Sequence, residues 1–287
     1  MRVLIRSQRP FGNVAGEVIL VHGLEGSSEA GYMRSAANAL LEAGFATHRF
    51  NLRSCGGTEA LCPTMYHAGL TVDLLSFLSE LRGQGRAPAH LVGFSLGGNV
   101  VLKLAAELRD DERGLVAAVC AVSPPIDLAK CVERLSSREN RLYEWRFVKL
   151  MKERLRRMNR MRPGQYPLDG LDGVKSLHEI DERYTAPQFG FSNAAQYYDT
   201  QSAIRGLDRI GVPALVIQAE DDTLIPFATF SCRAFRENPQ LHLLSTPHGG
   251  HLGFLSRRRP RFWADGVIVD WFVRNRRNKR AVAHVHT

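Results

Sequence analysis

The chain contains a serine between two glycines, in a spacing that suits nucleophilic chemistry. The pentapeptide Gly93-Phe94-Ser95-Leu96-Gly97 follows the strand-like run His90-Leu91-Val92 and precedes a helix-like stretch from Asn99 to Leu108. On a sharp turn between a strand and a helix, a serine presents its hydroxyl to a substrate, and glycine neighbours avoid crowding it. The alternative is a glycine-rich turn that merely caps the helix. The two interpretations differ in whether the chain also contains the base and the acid that a serine nucleophile needs.

A serine hydroxyl near neutral pH needs a base beside it, and that base needs a third group that orients it. Acidic side chains occur later in the chain at Asp221 and Asp222, and histidines at His248 and His251. Each pair follows an apolar, strand-like run, and the carboxyl ends of parallel strands meet at one edge of a sheet. Taken separately, the acids could begin a helix and the histidines could be exposed loop residues. Their joint occurrence in the order serine, acid, histidine predicts a catalytic triad.

The segment His22-Gly23-Leu24-Glu25-Gly26-Ser27-Ser28 follows the first strongly apolar strand candidate. If Ser95 attacks an acyl carbonyl, negative charge develops on its oxygen, and two preorganised N–H donors stabilise that charge. We expect the backbone N–H of Leu96, directly after the serine, to supply one donor and that of Leu24 to supply the other. The alternative is a simple turn that ends the strand at His22-Gly23.

The elements that must position these groups are apolar strand candidates that alternate with amphipathic helices. The strand candidates are Glu17–Val21, Ala46–Asn51, Ala89–Phe94, Leu115–Val122, Ala214–Ala219 and Leu241–Ser245. The helix candidates are Ala30–Ala43, Gly69–Leu81, Asn99–Leu108, Phe227–Phe235 and Arg261–Val273. This alternation predicts an α/β fold with a mostly parallel sheet that helices cover on both faces.

One interval is too long for an ordinary connection. Roughly 85 residues separate Pro124-Pro125 from Pro213, whereas a connection between a strand and a helix needs only a handful. We therefore predict a core made of residues 1–125 and 210–287, and a crossover helix with a helical cap at residues 126–209.

Within this interval, apolar residues recur at helical spacing, opposite a basic face. The apolar stripe comprises Leu142, Trp145, Val148, Met151, Leu155 and Met158, and the basic face comprises Arg146, Lys149, Lys152, Arg156 and Arg160. The pattern predicts a cap helix whose stripe packs over the core. The alternative is a basic amphipathic surface that binds anionic lipid.

Composition restricts the class of protein. A chain of 287 residues with 44% apolar content can bury one large core. No run approaches the roughly 18 apolar residues of a membrane span, and residues 1–12 lack the apolar stretch of a secretory signal. The five cysteines are scattered and have no metal-binding spacing. We therefore expect a cytoplasmic protein that uses neither a metal nor an organic cofactor.

The net charge of +9 is concentrated in two segments. Residues 130–162 contain twelve Lys and Arg against four Glu, and residues 252–287 contain nine against two Asp. Such patches attract nucleic acid, anionic lipid or acidic substrates, although they can also be solvated surface. No nucleic-acid-binding motif accompanies the charge, so nucleic acid is not expected as a partner. Peripheral contact with an anionic membrane stays open, and the sequence does not indicate an oligomeric state.

Taken together, the motifs resemble the YheT-like (ABHD-type) branch of the α/β-hydrolase superfamily, which includes bacterial esterases and eukaryotic lipases. The segments that carry the resemblance are residues 22–28, Asn51-Leu52-Arg53-Ser54-Cys55-Gly56-Gly57, Tyr66-His67-Ala68-Gly69, residues 93–99, Thr185-Ala186-Pro187, Asp221-Asp222, and residues 248–254. The resemblance implies an α/β-hydrolase fold with Ser95 as nucleophile, Asp222 as acid and His251 as base. Asp221 and His248 are the second choices.

The same resemblance implies a serine hydrolase that cleaves carboxylic esters, lipid acyl esters among them for some members, through an acyl-enzyme intermediate. It also implies that the loop from Arg53 to Gly57 shapes the pocket. Only 21 residues precede His22, so the early antiparallel strands of the family are expected to be shortened, to Val3–Arg6. Two alternatives remain: an acyltransferase with the same triad, and a catalytically idle protein of this fold that binds lipid or nucleic acid through its basic cap.

Overall fold

A single sheet forms the centre of the protein. The structure, a computed structural model, describes residues 2–86, 88–257 and 261–285, with side chains as far as Arg276. Within these residues the sheet has seven strands, which are β1 Ile5–Gln8, β2 Glu17–Val21, β3 Ala46–Phe50, β4 Ala89–Phe94, β5 Val116–Val122, β6 Ala214–Ala219 and β7 Leu241–Thr246.

The strands lie in the order β1-β3-β2-β4-β5-β6-β7, and each neighbouring pair except β1 and β3 is parallel. The predicted parallel sheet is therefore confirmed. The predicted first strand, Val3–Arg6, begins two residues too early, because Ile5 pairs with Phe50 and the antiparallel ladder runs on to Gln8.

Helices connect these strands. They are α1 Gly31–Glu42, α2 Val72–Gly83, α3 Leu96–Glu107, α4 Leu128–Leu135, α5 Arg141–Met161, α6 Leu177–Ile180, α7 Ala186–Gln188, α8 Ala194–Gln201, α9 Ala234–Glu237 and α10 Trp263–Val285. Between α6 and α7 the chain forms a π-helical turn over Asp181–Thr185. The predicted helix over Phe227–Phe235 is wrong, since a 3₁₀ turn over Phe227–Ser231 ends before the short helix α9 begins.

Alternate residues of the parallel strands pack on opposite faces of the sheet. In β2, Val18 and Leu20 contact the side of α1 and α10, and Ile19 and Val21 contact the side of α2 and α3. All four are fully buried, and each such side chain contributes about 1.5–3 kcal/mol by leaving water. Burial on both faces explains why β2 is continuously apolar from Val18 to Val21.

The residues between β5 and β6 form helices α4 to α8, and the longest of these, α5, packs with its middle and last turns against the core. Val148, Met151, Leu155 and Met158 are buried in the same apolar cluster as α2 and α3. The predicted stripe is wrong at its start, because Leu142 is 73% exposed and Trp145 is 59% exposed. These two residues lie in the first turns of α5, beyond the part of the helix that the core covers.

Candidate active site

Ser95 lies between the end of β4 and the first residue of α3. Its backbone has φ 51° and ψ −124°, a conformation that L-residues rarely adopt and that is found where a functional group must be presented sharply. A close backbone approach requires glycine at position 97, because a Cβ there would lie 2.4 Å from the carbonyl oxygen of Val21. The predicted helix start at Asn99 is three residues late, since α3 begins at Leu96 directly after the serine.

Three side chains from distant parts of the chain meet at this turn. The Ser95 hydroxyl lies 2.8 Å from Nε2 of His251, and Nδ1 of the same ring lies 2.9 Å from Oδ2 of Asp222. His251 is located in the loop after β7, and Asp222 in the loop after β6. The arrangement has the hydrogen-bond reach that proton transfer from the serine to the imidazole requires.

The carboxylate of Asp222 is buried and fully hydrogen-bonded. Its Oδ1 accepts the backbone N–H groups of Leu224 at 2.9 Å and Ile225 at 3.2 Å, and its Oδ2 also accepts Gln218 Nε2 at 3.1 Å. Burial acts to raise the pKa of Asp222, but the hydrogen bond and charge of His251, together with these donors, outweigh it and lower the pKa below its usual value. The group is therefore held as a carboxylate that orients the imidazole.

Asp221 and His248, the second choices, form a separate pair outside this chain of contacts. Nδ1 of His248 lies 3.3 Å from Oδ2 of Asp221, and both side chains are exposed. Oδ1 of Asp221 accepts the backbone N–H groups of Gly249 and Gly250 at 3.0 and 2.8 Å. This pair therefore fixes the loop that carries His251, and neither member contacts Ser95.

The loop after β2 contacts the serine directly. A Cβ at Gly23 would lie 2.9 Å from Cβ of Ser95, so only glycine permits this approach. The buried ring of His22 fixes the position of this loop through two hydrogen bonds. Its Nδ1–H donates to the carbonyl of Gly23 at 2.8 Å, and its Nε2 accepts the N–H of Leu52 at 3.1 Å. Burial lowers the pKa of His22 to about 4, so the ring is neutral.

Leu24 and Leu96, the predicted oxyanion donors, both line the cavity that contains Ser95 and His251. Within the described residues neither backbone N–H donates to another protein group. Leu96 opens α3, where the first N–H groups of a helix have no intrahelical acceptor. Both N–H groups are thus available to an oxygen of a bound substrate.

A buried ion pair joins the same loop to α5, and the sequence patterns did not predict it. Arg154 of α5 is 4% exposed, and its Nε and Nη2 contact the carboxylate of Glu25 at 2.9 and 3.0 Å. Glu25 also accepts the hydroxyl of Tyr66 at 3.1 Å, and the Tyr66 oxygen accepts the Glu25 N–H at 2.8 Å. Helical spacing could have indicated the burial of Arg154, because this residue lies on the same face of the helix as Met151 and Met158 of the apolar stripe.

The loop from Arg53 to Gly57 is not among the cavity-lining residues, contrary to the expectation from the resemblance. Arg53 instead forms a two-point ion pair with Asp73, at 2.6 and 2.8 Å. The loop contacts the site indirectly, through Arg154, which lines the cavity and whose guanidinium donates to the carbonyl of Ser54.

The cavity above Ser95 has a volume of about 100 Å³ and a mainly apolar wall. Its apolar residues come largely from α4, α5 and the loop after β6, and they include Leu128, Cys131, Val132, Leu135, Phe147, Met151, Leu224 and Ile225. An apolar wall with a few fixed polar groups is typical of sites that bind small organic ligands.

One unpredicted acid lies in the cavity wall, on the π-helical turn. Burial raises the pKa of Asp181 to about 6, against the opposing effect of its hydrogen bonds. These bonds come from the hydroxyls of Thr185 at 2.7 Å and Tyr198 at 2.8 Å. Both carboxylate oxygens are thus already occupied by the chain itself.

Among the described residues, no group of three or more His, Cys, Asp or Glu side chains is arranged to hold a metal ion. In the same part of the chain, no helix combines the length and the apolar character that crossing a membrane requires.

Comparison with known proteins agrees with this architecture. The sequence profile of the alpha/beta hydrolase family matches residues 18–265. The YheT protein of Escherichia coli (strain K12) is 33% identical over 263 residues, which cover 89% of this chain and 76% of YheT. A phospholipase of Mus musculus, ABHD3, is 28% identical over 246 residues, which cover 85% of this chain and 59% of the mouse protein.

Among solved structures, that of Est1E from Butyrivibrio proteoclasticus with bound ferulic acid superposes with a TM-score of 0.61 at 16% identity, and the match covers 95% of each chain. At this level of identity the likeness concerns the fold alone. The α/β-hydrolase fold with its mostly parallel sheet, and the resemblance to the YheT-like, ABHD-type branch, are confirmed by these matches.

Proposed function

Because the chain belongs to the α/β-hydrolase family, as an esterase- and lipase-like carboxylic ester hydrolase, we propose that it cleaves esters by attack of the Ser95 hydroxyl. In this proposal His251 is the base and Asp222 orients it. The observation that most supports the proposal is the unbroken series of contacts from Ser95 to His251, at 2.8 Å, and from His251 to Asp222, at 2.9 Å.

The reaction has two steps. His251 takes the proton from Ser95 as its oxygen bonds to the ester carbonyl carbon, and the N–H groups of Leu24 and Leu96 stabilise the oxyanion. His251 then protonates the departing alcohol, which leaves an acyl group on Ser95. Water, deprotonated by His251, then attacks the acyl carbon, and His251 returns the proton to the Ser95 oxygen as the carboxylic acid departs. Asp222 stays ionised throughout because its pKa is lowered, and its carboxylate stabilises the positive charge that forms on the imidazole.

The cavity favours esters with short acyl chains. Its volume is about 100 Å³, and one water-sized group needs roughly 10–15 Å³ of such space, so the room is for roughly seven to ten non-hydrogen atoms. Apolar side chains of α4 and α5 form the wall that an acyl chain would contact. A chain of four to six carbons fits this space, whereas a long fatty acyl chain would have to extend into solvent.

A series of p-nitrophenyl esters from butyrate to palmitate tests the function and the chain length together. Each methylene that fits the cavity should add roughly 0.8 kcal/mol, so we expect kcat/KM to rise with chain length until the cavity is filled. The methylenes of palmitate that stay in water add nothing, so palmitate should be cleaved no faster than the ester that fills the cavity. A long-chain optimum would contradict the size argument. Absence of hydrolysis together with absence of labelling by a fluorophosphonate would contradict the triad, and ester products in place of free acid would indicate acyl transfer.

We also propose that the protein is cytoplasmic and meets anionic membranes peripherally through the start of α5. Leu142 and Trp145 are exposed there, and exposed apolar side chains beside cations suit a lipid interface. Within the described residues Arg141, Arg146 and Lys149 form no ion pair, and Nζ of Lys149 lies 5.3 Å from the Trp145 ring centroid. The charge of this surface is thus complementary to anionic headgroups.

Sedimentation with phosphatidylcholine vesicles, with and without phosphatidylserine, tests this surface. We expect retention to require phosphatidylserine, to fall at high salt because screening weakens the attraction, and to drop about tenfold when Leu142 and Trp145 are both replaced by serine. Leu61→Ser is the matched control, since Leu61 is an exposed leucine outside α5. Equal retention of the double variant and the control would exclude α5 as the contact.

A further inference from the structure

The loop that carries the proposed oxyanion donor Leu24 forms a tight turn. The N–H of Gly26 donates to the carbonyl of Gly23 at 3.0 Å, so residues 23–26 form a β-turn with Leu24 in its second position. Glu25, in the third position, has φ 55°. Glycine adopts such a conformation freely, whereas other residues adopt it only at a cost in free energy. The Leu24 N–H thus belongs to a turn whose conformation requires a strained residue.

Both the backbone and the side chain of Glu25 are held by neighbouring groups. Its N–H donates to the hydroxyl oxygen of Tyr66 at 2.8 Å, and this hydroxyl donates to Oε1 of Glu25 at 3.1 Å. Nε of Arg154 donates to Oε1 at 2.9 Å, and Nη2 donates to Oε2 at 3.0 Å. The side chains of Arg154 and Glu25 are only 5% and 3% exposed, so water competes little for these contacts. The strained residue is therefore fixed from α5.

The same guanidinium holds a second strained residue beside the turn. Nη1 of Arg154 donates to the carbonyl of Ser54 and lies 3.2 Å from its Oγ, and Ser54 has φ 57°. Close to Ser54, the N–H of Leu52 donates to Nε2 of His22, the residue that precedes the turn. A planar guanidinium can make these contacts together because its donors point in several fixed directions, which an ammonium group cannot reproduce.

The position of the ion pair indicates a role beyond stability. A buried ion pair is weak evidence for stability, because apolar side chains of similar volume in its place are often at least as stable. Non-glycine residues with positive φ, by contrast, cluster at functional sites. The described residues include five of them, and two of the five, Ser95 and Glu25, line the same cavity. One is the proposed nucleophile, and the other directly follows a proposed oxyanion donor.

We propose that Arg154 and Glu25 are positioning residues for the oxyanion hole, the pair of N–H donors of Leu24 and Leu96. Their ion pair holds the turn in the conformation that directs the Leu24 N–H at the substrate oxygen. This inference rests on the proposed ester hydrolysis at Ser95, and it makes the contact between α5 and the turn a requirement for catalysis. Because oxyanion donors act mainly in the transition state, displacement of the turn should lower kcat and leave KM nearly unchanged.

The test compares Arg154→Lys with Arg157→Lys, the same change on the same helix. Arg157 also pairs with a glutamate, Glu59 at 2.9 Å, but does not line the cavity. We expect Arg154→Lys to lower kcat for p-nitrophenyl butyrate about tenfold to hundredfold, less than the roughly 10²–10³-fold loss of a whole oxyanion donor. Arg157→Lys should leave kcat at the wild-type value. Fluorophosphonate labelling taken to completion counts the active sites, so kcat refers to folded, reactive protein.

A butyl trifluoromethyl ketone measures the oxyanion hole separately from turnover. Ser95 adds to its carbonyl carbon, His251 takes the serine proton, and the ketone oxygen becomes an oxyanion at the position of the substrate oxygen. We expect its inhibition constant to rise in Arg154→Lys by about the factor by which kcat falls. Glu25→Asp, whose carboxylate is one methylene shorter, disturbs the pair from the other side and should cause the same two changes.

The double variant Glu25→Gly with Arg154→Met distinguishes positioning from a direct effect of the arginine charge. Glycine adopts the conformation of residue 25 without strain, and methionine fills the space without leaving a buried charge unpaired. We therefore expect kcat of the double variant to exceed that of Arg154→Lys. A kcat equal to that of Arg154→Lys or lower would mean that the charge of Arg154 itself acts on the oxyanion, which contradicts a positioning role.

The remaining outcomes separate this inference from the proposed function. If Arg154→Lys and Glu25→Asp lower only the melting temperature, and kcat per active site and the inhibition constant stay at wild-type values, the pair serves stability alone and the triad stands. If wild type neither hydrolyses p-nitrophenyl butyrate nor is labelled by a fluorophosphonate, the proposed function itself fails.

Discussion

Ser95→Ala is expected to lower kcat for p-nitrophenyl butyrate by a factor on the order of 10⁴ or more. The change removes one oxygen, and with it the atom that forms the acyl-enzyme and the group whose proton His251 accepts at 2.8 Å. Stopped-flow or steady-state release of p-nitrophenol measures the loss. Reaction with a fluorophosphonate should disappear in the same variant, because no nucleophile remains.

The fold should survive this change. Alanine tolerates the backbone of Ser95 as well as serine does, and among the described residues the hydroxyl makes no hydrogen bond besides the one with His251. Ser79→Ala, on the exposed face of α2, is the matched control and should retain full activity. Turnover by Ser95→Ala close to that of Ser79→Ala would refute the assignment of the nucleophile.

The second large effect is expected at Asp222, with its sequence neighbour as control. Asp222→Asn should lower kcat about 10⁴-fold, and Asp221→Asn should change it by no more than about threefold. Two backbone N–H groups, of Leu224 and Ile225, donate to Oδ1, so an asparagine would keep its oxygen there and turn its NH₂ towards His251. The imidazole would then accept at Nδ1 and carry its proton on Nε2, where it cannot receive the serine proton.

Asp221→Asn preserves the acceptor for Gly249 and Gly250, and its partner His248 contacts no member of the triad. Both variants remove one negative charge, at neighbouring positions of the same loop. A difference in their activity therefore reports the different roles of the two carboxylates. Steady-state kcat for both variants, with circular dichroism to verify folding, is sufficient. Similar losses in the two variants would mean that the loop, and not the Asp222 carboxylate, limits the rate.

The meeting of Ser95, Asp222 and His251 could be anticipated from the sequence because each follows a predicted strand of the parallel sheet. Parallel strands are marked by local apolar runs, and their carboxyl ends share one edge of the sheet whatever lies between them. The sheet itself was predictable for the same reason. Its strands β4, β5 and β6 are buried throughout, so their apolar character is continuous.

The parts that could not be predicted depend on contacts between remote segments. The periodicity of α5 predicts an apolar stripe but does not show where the core stops covering the helix. Leu142 and Trp145 were therefore predicted to pack against the core, although they are exposed. The prediction of a helix over Phe227–Phe235 was wrong, because the chain forms a 3₁₀ turn at Phe227–Ser231. The side chain of Asn238, which follows this segment, donates to the carbonyls of Leu207 and Ile210, and the sequence does not reveal such remote contacts.

The ion pair between Glu25 and Arg154 restricts how this protein can diversify. Helical caps are natural candidates for exchange between relatives, because they contact the substrate and leave the sheet intact. A replacement of α5 that lacked an arginine at position 154 would leave the buried carboxylate of Glu25 without its partner. Loss of one partner from such a pair lowers the free energy of unfolding by about 3–5 kcal/mol. Helix α5 and the loop after β2 must therefore be inherited or redesigned together, and we expect chimeras that keep both Glu25 and Arg154 to fold.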